Sequence, residues 1–127
     1  SPVSPQREAK SISGEETFAR DVDEPARLFR EMKRIAGEVG NSLQQRGLVA
    51  RTVTLKLRYP DFTTITRSMS QSYSTASEGV IFESVCELLG RNWAAGQLVR
   101  LIGVGVSNLS SISMPGQLAF GQILEPD

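Results

Sequence analysis

The chain has 127 residues, 14 basic and 14 acidic, so its formal net charge at pH 7 is zero. That length suits one domain with a real hydrophobic core, and the charge balance argues against a strongly basic nucleic-acid binder. With no histidine and a single cysteine, Cys86, the chain lacks the commonest general base and any intrachain disulfide. No apolar run is long enough to span a bilayer and no hydrophobic signal core is present, so we expect a cytoplasmic protein without a membrane partner.

The beginning of the chain predicts a linker followed by a strand. Residues 1–8 combine prolines and serines with little apolar content, which is typical of a linker. The segment Lys10–Val22 is predicted to be a strand with Ile12 and Phe18 on its inner face. Gly14, which precedes a pair of glutamates, is a candidate bulge.

The clearest helix is predicted over Asp23–Arg46. Asp23 is a good N-cap, Pro25 fits only a first turn, and Gly47 is a natural stop. Apolar residues recur at steps of three and four and form one stripe, which is expected to face the core. This stripe consists of Leu28, Phe29, Met32, Ile35, Ala36, Val39 and Leu43.

Two strands joined by a Pro-Asp turn are predicted over Val49–Met69. In the first strand, Val53, Leu55 and Leu57 alternate with polar residues, so one face is apolar and the other polar. A polar outer face is the default for a half-buried sheet, but hydroxyls and cations also suit a phosphate backbone. The predicted outer face consists of Thr52, Thr54, Lys56, Arg58 and, from the second strand, Arg67.

A polar stretch, SQSYSTAS, separates this hairpin from a second helix and a last strand. Thr75 and Glu78 have the spacing of a capping box, and Gly90 is expected to end the helix. The strand Gln97–Leu109 has two faces. One is formed by Ile102, Val104 and Val106, and the other by Leu101, Gly103, Gly105 and Ser107.

This order of elements predicts an α+β fold, a two-layer sandwich of the β-α-β-β-α-β type. Its four-stranded, mainly antiparallel sheet has both helices on one face, which leaves the other face uncovered. On that uncovered face, Gly103 and Gly105 either let main-chain N–H groups approach a phosphate or merely allow strand twist or helix crossing. The residues leave both readings open.

No residue pattern predicts an active site. Cys86 lies among apolar helix residues and is interpreted as a buried, inert thiol. Glu83 and Glu87 lie four residues apart on the second helix and are interpreted as solvated surface. The sequence has no phosphate-binding loop, dinucleotide fingerprint or acidic metal cluster. The chain alone is therefore predicted to be non-catalytic, with no metal and no cofactor.

Three segments resemble, in this order, the little-finger domain of Y-family translesion DNA polymerases, with the DNA polymerase IV branch as the best match. The segments are KSISGEETF, LVARTVTLKLRYPDFTTITRS and VRLIGVGVS, within about Ala9 to Leu109. The resemblance implies a DNA-binding domain, residues 9–109, that lies across the major groove of primer–template DNA and grips phosphates with its sheet. Nucleotidyl transfer and its Mg²⁺ would belong to the palm, which with the fingers and thumb of the same polypeptide would precede residues 1–8.

The resemblance also assigns backbone-binding positions, strand by strand. Some relatives carry another cation where this chain has Gly105, which implies more reliance on backbone amides there. Ser107 adds a hydroxyl on the same predicted face. The predicted DNA-backbone contacts are Lys10, Ser11 and Ser13, then Thr52, Thr54 and Lys56, then Thr64, Thr66 and Arg67, and finally Arg100, Gly103, Gly105 and Ser107.

The same resemblance predicts a function for the tail, residues 110–127. Bacterial polymerases of this type resemble one another in ending with a short Gln-Leu peptide that docks on the sliding clamp. Gln117, Leu118 and Phe120 are similar to that peptide, and Gln122-Ile123-Leu124 is a second candidate. The physical alternative is that the apolar tail residues pack on the chain's own sheet edge. A bacterial, nucleoid-associated location follows from this reading.

Two other functions fit the same order of elements. An RRM-like domain would bind single-stranded RNA by stacking bases on sheet aromatics, and the strand Thr63–Met69 has none. A non-catalytic protein-interaction module would use the apolar stripe of the first helix. Burial of that stripe against the chain's own sheet would exclude this second alternative.

Overall fold

The computed structural model describes residues 10–112. Their helices and strands follow the predicted order, which confirms the fold class. The elements are β1 (Ser11–Val22), α1 (Pro25–Arg46), β2 (Leu48–Arg58), β3 (Thr64–Thr75), α2 (Glu78–Asn92) and β4 (Val99–Ser111). Neither helix in this part of the chain combines the length and the apolar content that crossing a membrane requires.

The four strands form one open sheet in the order β1-β4-β2-β3, and every neighbouring pair is antiparallel. As a result β1 runs parallel to β2 with β4 between them, and β3 runs parallel to β4 with β2 between them. Each helix therefore connects two parallel strands across one intervening strand. Both helices pack on the same face, α1 over β1, β4 and β2 and α2 over β2 and β3. The opposite face of the described sheet carries no helix.

Both edge strands contain an irregularity. The regular pairing of β1 with β4 is interrupted between Thr17 and Val22, and that of β2 with β3 between Ala50 and Thr52. In each case the edge strand uses more residues than its partner, as a bulged strand does. At the second irregularity, the Arg51 guanidinium donates hydrogen bonds to the carbonyl oxygens of Gln71 at 3.1 Å and Ser72 at 3.4 Å.

The core lies between the helices and the sheet. In β2, Val53, Leu55 and Leu57 are buried on the helix side, as predicted from their alternation. The predicted α1 stripe is also buried except for Phe29, which is 41% exposed because it lies at the margin of the stripe. Since the rest of the stripe packs against the chain's own sheet, a protein-interaction surface built on it is excluded.

Gly14 is not a bulge, as the sequence had suggested, because it pairs regularly with Val104. A Cβ atom at position 14 would lie only 2.9 Å from the Cγ2 atom of Ile35 in α1. Real Cβ atoms essentially never approach so closely. The glycine therefore serves the close packing of α1 on β1.

The ends of the helices differ from the prediction by a few residues. The N-cap of α1 is Glu24 rather than Asp23, because Pro25 occupies the first helical position. The N-cap of α2 is Ser77, whose hydroxyl accepts a hydrogen bond from the Val80 N–H at 3.2 Å. The predicted capping residue, Thr75, instead accepts from the Ser77 N–H at 3.0 Å and belongs to β3.

Two elements are longer than predicted. β3 continues through most of the polar stretch to Thr75, because an edge strand can alternate hydroxyl and amide side chains without an apolar run. α2 passes through Gly90 and ends at Asn92, where the Trp93 N–H bonds the Leu89 carbonyl oxygen at 2.9 Å. Gly90 is exposed with open space around it, so it does not break the helix.

Candidate nucleic-acid interface

The register of the sheet defines the face that carries no helix. Residues directly opposite each other on neighbouring strands lie on the same face. Thr52, Thr54, Lys56 and Arg58 of β2 all lie on this open face, as predicted, while the leucines between them face the helices. Opposite these four stand Ser70, Ser68, Thr66 and Thr64 of β3 and Ser107, Gly105, Gly103 and Leu101 of β4.

A groove of about 320 Å³ lies over the middle of the open face. It brings together residues that the sequence analysis had assigned to four separate strands. From the predicted set, the groove is lined by Ser11, Ser13, Thr54, Lys56, Thr66, Gly103, Gly105 and Ser107. Five of its twelve lining residues carry a hydroxyl, and Lys56 is the only cation among them.

An acidic residue that the sequence analysis missed, Glu15, also lines this groove. Its Oε2 atom lies 2.6 Å from the Lys56 Nζ atom. The sequence pattern could have identified Glu15, because alternation along β1 places it on the same face as Ser11 and Ser13. The ammonium of Lys56 is therefore already compensated by a carboxylate of the same face.

The glycines of β4 allow this close approach of side chains. A Cβ atom at position 103 would lie 3.2 Å from Cγ of Glu15 and 3.4 Å from Cβ of Lys56. At position 105 it would lie 3.0 Å from Cβ of Ser13. Because β4 lies between β1 and β2, its backbone groups point to these neighbours. Donation of free Gly103 and Gly105 amides to phosphate, one of the two readings left open, is therefore not supported by this arrangement.

Hydroxyl groups are linked in pairs across the rest of the open face. Thr54 Oγ1 and Ser68 Oγ are 2.7 Å apart, and Thr52 Oγ1 and Ser70 Oγ are 3.0 Å apart. Asn108 adds its Nδ2 atom, which donates to Thr52 Oγ1 at 2.6 Å. The serines of β3 were missed because the predicted strand contacts followed the family motif and not the alternation. These linked groups are short, held in place and able to donate to a phosphate oxygen.

Arg67 is not on the open face, and its predicted placement there is wrong. It lies opposite Leu55, whose side chain faces the helices. Its Nε atom donates to Asn92 Oδ1 of α2 at 3.2 Å, and its Nη1 atom to the Thr66 carbonyl oxygen at 2.9 Å. Alternation along β3 predicts this placement, since Arg67 lies two positions after the half-buried Ile65 and therefore on the same face of the strand.

The remaining predicted residues do not line the groove. Arg100 is 3.3 Å from the Asp21 carboxylate, and its guanidinium carbon is 4.8 Å from the centre of the Phe62 ring. Thr64 accepts a hydrogen bond from Arg58 Nε at 2.9 Å. Lys10 is exposed immediately before β1. Thr52 lies on the open face next to the groove, in the row that contains Ser107.

The thiol and the acidic pair of α2 show no catalytic arrangement. Cys86 is half-buried rather than fully buried, and burial together with the nearby Glu83 carboxylate raises the pKa of its thiol. Glu87 forms an ion pair with Arg91 one turn later in the helix, as solvated helix surfaces do. Over residues 10–112, no three His, Cys, Asp or Glu side chains are grouped so that they could hold a metal ion.

One feature counts against RNA recognition of the RRM kind. Every residue that the register places on the open face of β2, β3 and β4 is non-aromatic. An RRM stacks bases on sheet aromatics, so this face lacks the groups that the RRM mode requires.

The predicted clamp-binding residues Gln117, Leu118 and Phe120 lie outside the described residues.

The fold and the groove define a class: a small α+β domain that leaves one polar sheet face open. Along residues 9–120 the chain matches the model of the impB/mucB/samB family C-terminal domain, and it belongs to this family. It is 43% identical over 113 residues to DNA polymerase IV of Alkalilimnicola ehrlichii, a match that covers 88% of this chain and 31% of the relative. DNA polymerase IV of Halorhodospira halophila is 40% identical over 108 residues, covering 85% of this chain and 30% of the relative. The chain thus spans about a third of the length of these relatives.

Solved structures show the same fold. The little finger domain of PolIV, from a complex with the beta-clamp processivity factor, superimposes with a TM-score of 0.65 at 21% identity. That match covers 88% of this chain and 99% of the little finger domain. An insertion ternary complex of Dbh DNA polymerase matches with a TM-score of 0.60 at 17% identity, over 77% of this chain and 28% of the polymerase. The resemblance to the little-finger domain that was read from the sequence is confirmed.

Proposed function

We propose that this chain is the DNA-binding little-finger domain of an error-prone translesion DNA polymerase. Its open sheet face would grip the phosphate backbone of primer–template DNA from the major-groove side and hold the polymerase in place during lesion bypass. The observation that carries the proposal is a helix-free, hydroxyl-rich sheet face with a groove, in a chain of the impB/mucB/samB family. Hydroxyls and scattered cations suit contacts to phosphate and sugar, which position a protein without reading sequence.

The proposed contacts follow from the open face. Hydroxyl donors come from all four described strands, and the cations Lys56 and Arg58 stand side by side in β2 positions of the same face. Lys10 adds a charge just before β1. The hydroxyl donors are Ser11, Ser13, Thr52, Thr54, Thr64, Thr66 and Ser107.

The electrostatics of the domain support a weak grip. Lys56 is compensated by Glu15 and Arg100 by Asp21, so two of the predicted contact cations are not free to attract a polyanion. Such a surface suits a domain that is tethered to other DNA-binding parts, since a short flexible tether raises the effective concentration to the millimolar range. The palm, fingers and thumb of the same polypeptide would supply those parts in bacterial cytoplasm, at nucleoid DNA.

Catalysis would belong to the rest of the polypeptide. The acidic residues of the described chain do not group into a metal site, so they do not fit the Mg²⁺ that a DNA polymerase uses. We place the metal-binding carboxylates in the palm and assign no catalytic step to this chain.

The tail would contact the bacterial sliding clamp. Gln117, Leu118 and Phe120 offer one amide and two apolar anchors to a hydrophobic pocket of the partner. A little finger domain of the same fold has been solved in complex with a beta-clamp, which supports the proposal. Surface plasmon resonance on immobilised clamp tests it: replacement of Leu118 and Phe120 by alanine should abolish binding, while Gln122→Ala should retain it. Equal binding by all variants would exclude this peptide as the clamp-binding segment.

Fluorescence anisotropy of a labelled primer–template duplex, titrated with the 127-residue chain, tests the DNA contact. We expect a dissociation constant on the order of 10⁻⁴–10⁻⁶ M and a log–log salt slope of about −2, for about two phosphates. Duplexes of unrelated sequence should bind equally. Absence of binding at the lowest salt would overturn the proposed grip.

Two arginines on opposite faces provide a matched comparison. Arg58 lies on the open face and Arg67 on the helix side. Arg58→Ala should weaken binding equally on all sequences and reduce the salt slope by about one unit. Arg67→Ala should change binding less, since its guanidinium is held by Asn92. A larger effect at Arg67 would show that DNA contacts the β3 edge from the helix side.

A further inference from the structure

The ion pair between Lys56 and Glu15 spans three strands. Glu15 lies on β1 and Lys56 on β2, and β4 runs between them. Strands separated by one neighbour are about 10 Å apart, so both side chains must lean over β4 to meet. Their charged atoms are nevertheless 2.6 Å apart, the Lys56 Nζ atom against the Glu15 Oε2 atom.

Gly103 allows this ion pair to form. It lies directly opposite both Glu15 and Lys56, in the middle of the same row. A Cβ atom at position 103 would lie 3.2 Å from Glu15 Cγ and 3.4 Å from Lys56 Cβ, so any side chain there would stand between the two groups. The carboxylate and the ammonium therefore lie flat across the sheet, at the groove that the neighbouring hydroxyls line.

We propose that Glu15 acts as an internal competitor of the DNA phosphate for Lys56. This inference rests on the proposed function. A phosphate that enters the groove meets neutral hydroxyls, one ammonium and one carboxylate, and the carboxylate, that of Glu15, is already paired with the ammonium. Binding of the phosphate to Lys56 displaces the carboxylate, which then lies near the phosphate as a like charge.

Displacement has a specific consequence for salt dependence. A lysine that contacts a phosphate normally releases about one counterion from DNA, which steepens the log–log salt slope by about 0.9. Here Glu15 loses its partner in the same step and attracts a cation from solution. The two effects oppose each other, so Lys56 contributes little net slope while Glu15 is present.

The test compares four variants of the 127-residue chain on a labelled primer–template duplex by fluorescence anisotropy at several salt concentrations. Glu15→Gln should tighten binding about threefold to tenfold at low salt and steepen the slope by about one unit. Adding Lys56→Met to Glu15→Gln should return the slope to that of the unchanged chain. Far-UV circular dichroism and the melting temperature should be unchanged in Glu15→Gln, because the pair is partly exposed.

Glu16→Gln is the matched control. Glu16 is the next residue of β1, carries the same charge and pairs with Arg34 of α1 at 2.9 Å. The Glu16→Gln substitution removes one negative charge from the helix side of the same strand. If Glu15→Gln and Glu16→Gln tighten binding equally, the effect is one of net charge and the inference is overturned.

The remaining outcomes separate this inference from the proposed function. If Glu15→Gln leaves affinity and slope unchanged while Arg58→Ala weakens binding, the open face binds DNA and Glu15 is not a competitor. If no variant binds DNA even at the lowest salt, the proposed function fails and the inference fails with it. Selective tightening and a steeper slope in Glu15→Gln alone support the competitor role.

Discussion

The two faces of the sheet are built from the same strands but are held in different ways. On the covered face, Val53, Leu55 and Leu57 are almost fully buried against two helices. On the open face, the residues between them form pairwise contacts, such as Thr54 with Ser68 and Lys56 with Glu15. The two faces of one strand therefore have different expected roles: a change on the covered face should affect stability, and, under the proposed function, a change on the open face should affect DNA affinity.

The largest expected effect compares neighbouring residues of β2. Leu55→Ala should lower the free energy of unfolding by about 2–5 kcal/mol, because it leaves a cavity in the core. Thr54→Ala, one position away on the open face, should lower it by about 1 kcal/mol or less, the usual worth of an exposed hydrogen bond. Urea denaturation at equilibrium measures both. Equal losses at the two positions would contradict the division between the faces.

A second comparison uses two glycines. Gly14→Ala should destabilise the chain by about 1–3 kcal/mol, since its Cβ atom would press on Ile35 of α1. Gly90→Ala should stabilise it by about 0.5–1 kcal/mol, because the site is helical and surrounded by open space. Thermal denaturation should show shifts of opposite sign, and shifts of the same sign would refute this account of Gly14.

A smaller effect on stability is expected at the N-terminus of α2. Ser77→Ala should lower stability by about 1 kcal/mol, because the Val80 N–H loses its acceptor. Ser77→Gly should lower it by only a few tenths of that amount, since glycine is tolerated at N-caps. If Thr75→Ala proved more damaging than Ser77→Ala, the capping residue would be the one that the sequence pattern had favoured.

The smallest effect concerns the turn that joins the two open-face strands β2 and β3. The Asp61 carboxylate accepts a hydrogen bond from the Thr63 N–H at 2.9 Å, which lowers the pKa of Asp61. A lowered folded-state pKa contributes stability above the unfolded pKa of about 3.9 and loses it as the pH falls through the lower folded value. Asp61→Asn keeps an acceptor but cannot titrate, so its stability should fall less steeply below pH 4 in acid-unfolding curves. Identical acid limbs would show that the turn makes no contribution.

Much of this division could be read from the sequence, because alternation assigns each residue of a strand to a face. The rule succeeded for β2, where Leu55 and Lys56 lie on the predicted sides. In β1 it was used only for the inner face, and in β3 it was not used, so Glu15 was missed and Arg67 was misplaced. Arg67 was grouped with the other cations instead of being assigned by its position in β3. Glu15 was missed because the contacts in β1 followed the family motif, which records which residues recur together and not which way they point.

The strand order is not contained in the same pattern. A β-α-β-β-α-β sequence with one apolar face per strand is compatible with more than one arrangement of central strands. The position of β4 between β1 and β2 decides that Glu15, Gly103 and Lys56 share a row. The ion pair across Gly103 therefore could not be predicted from local patterns, because it depends on a long-range pairing.

The irregularities of β1 and β3 have a consequence for self-association. An open sheet exposes unpaired backbone groups along both edges, and a second copy can add its own strand there. Here the pairing of each edge strand is broken before its end, and Arg51 occupies two of the β3 carbonyl oxygens. The remaining β3 edge carries mostly serine and threonine, without an apolar run. The edges of the described sheet are therefore poor templates for the addition of strands from further copies of the domain.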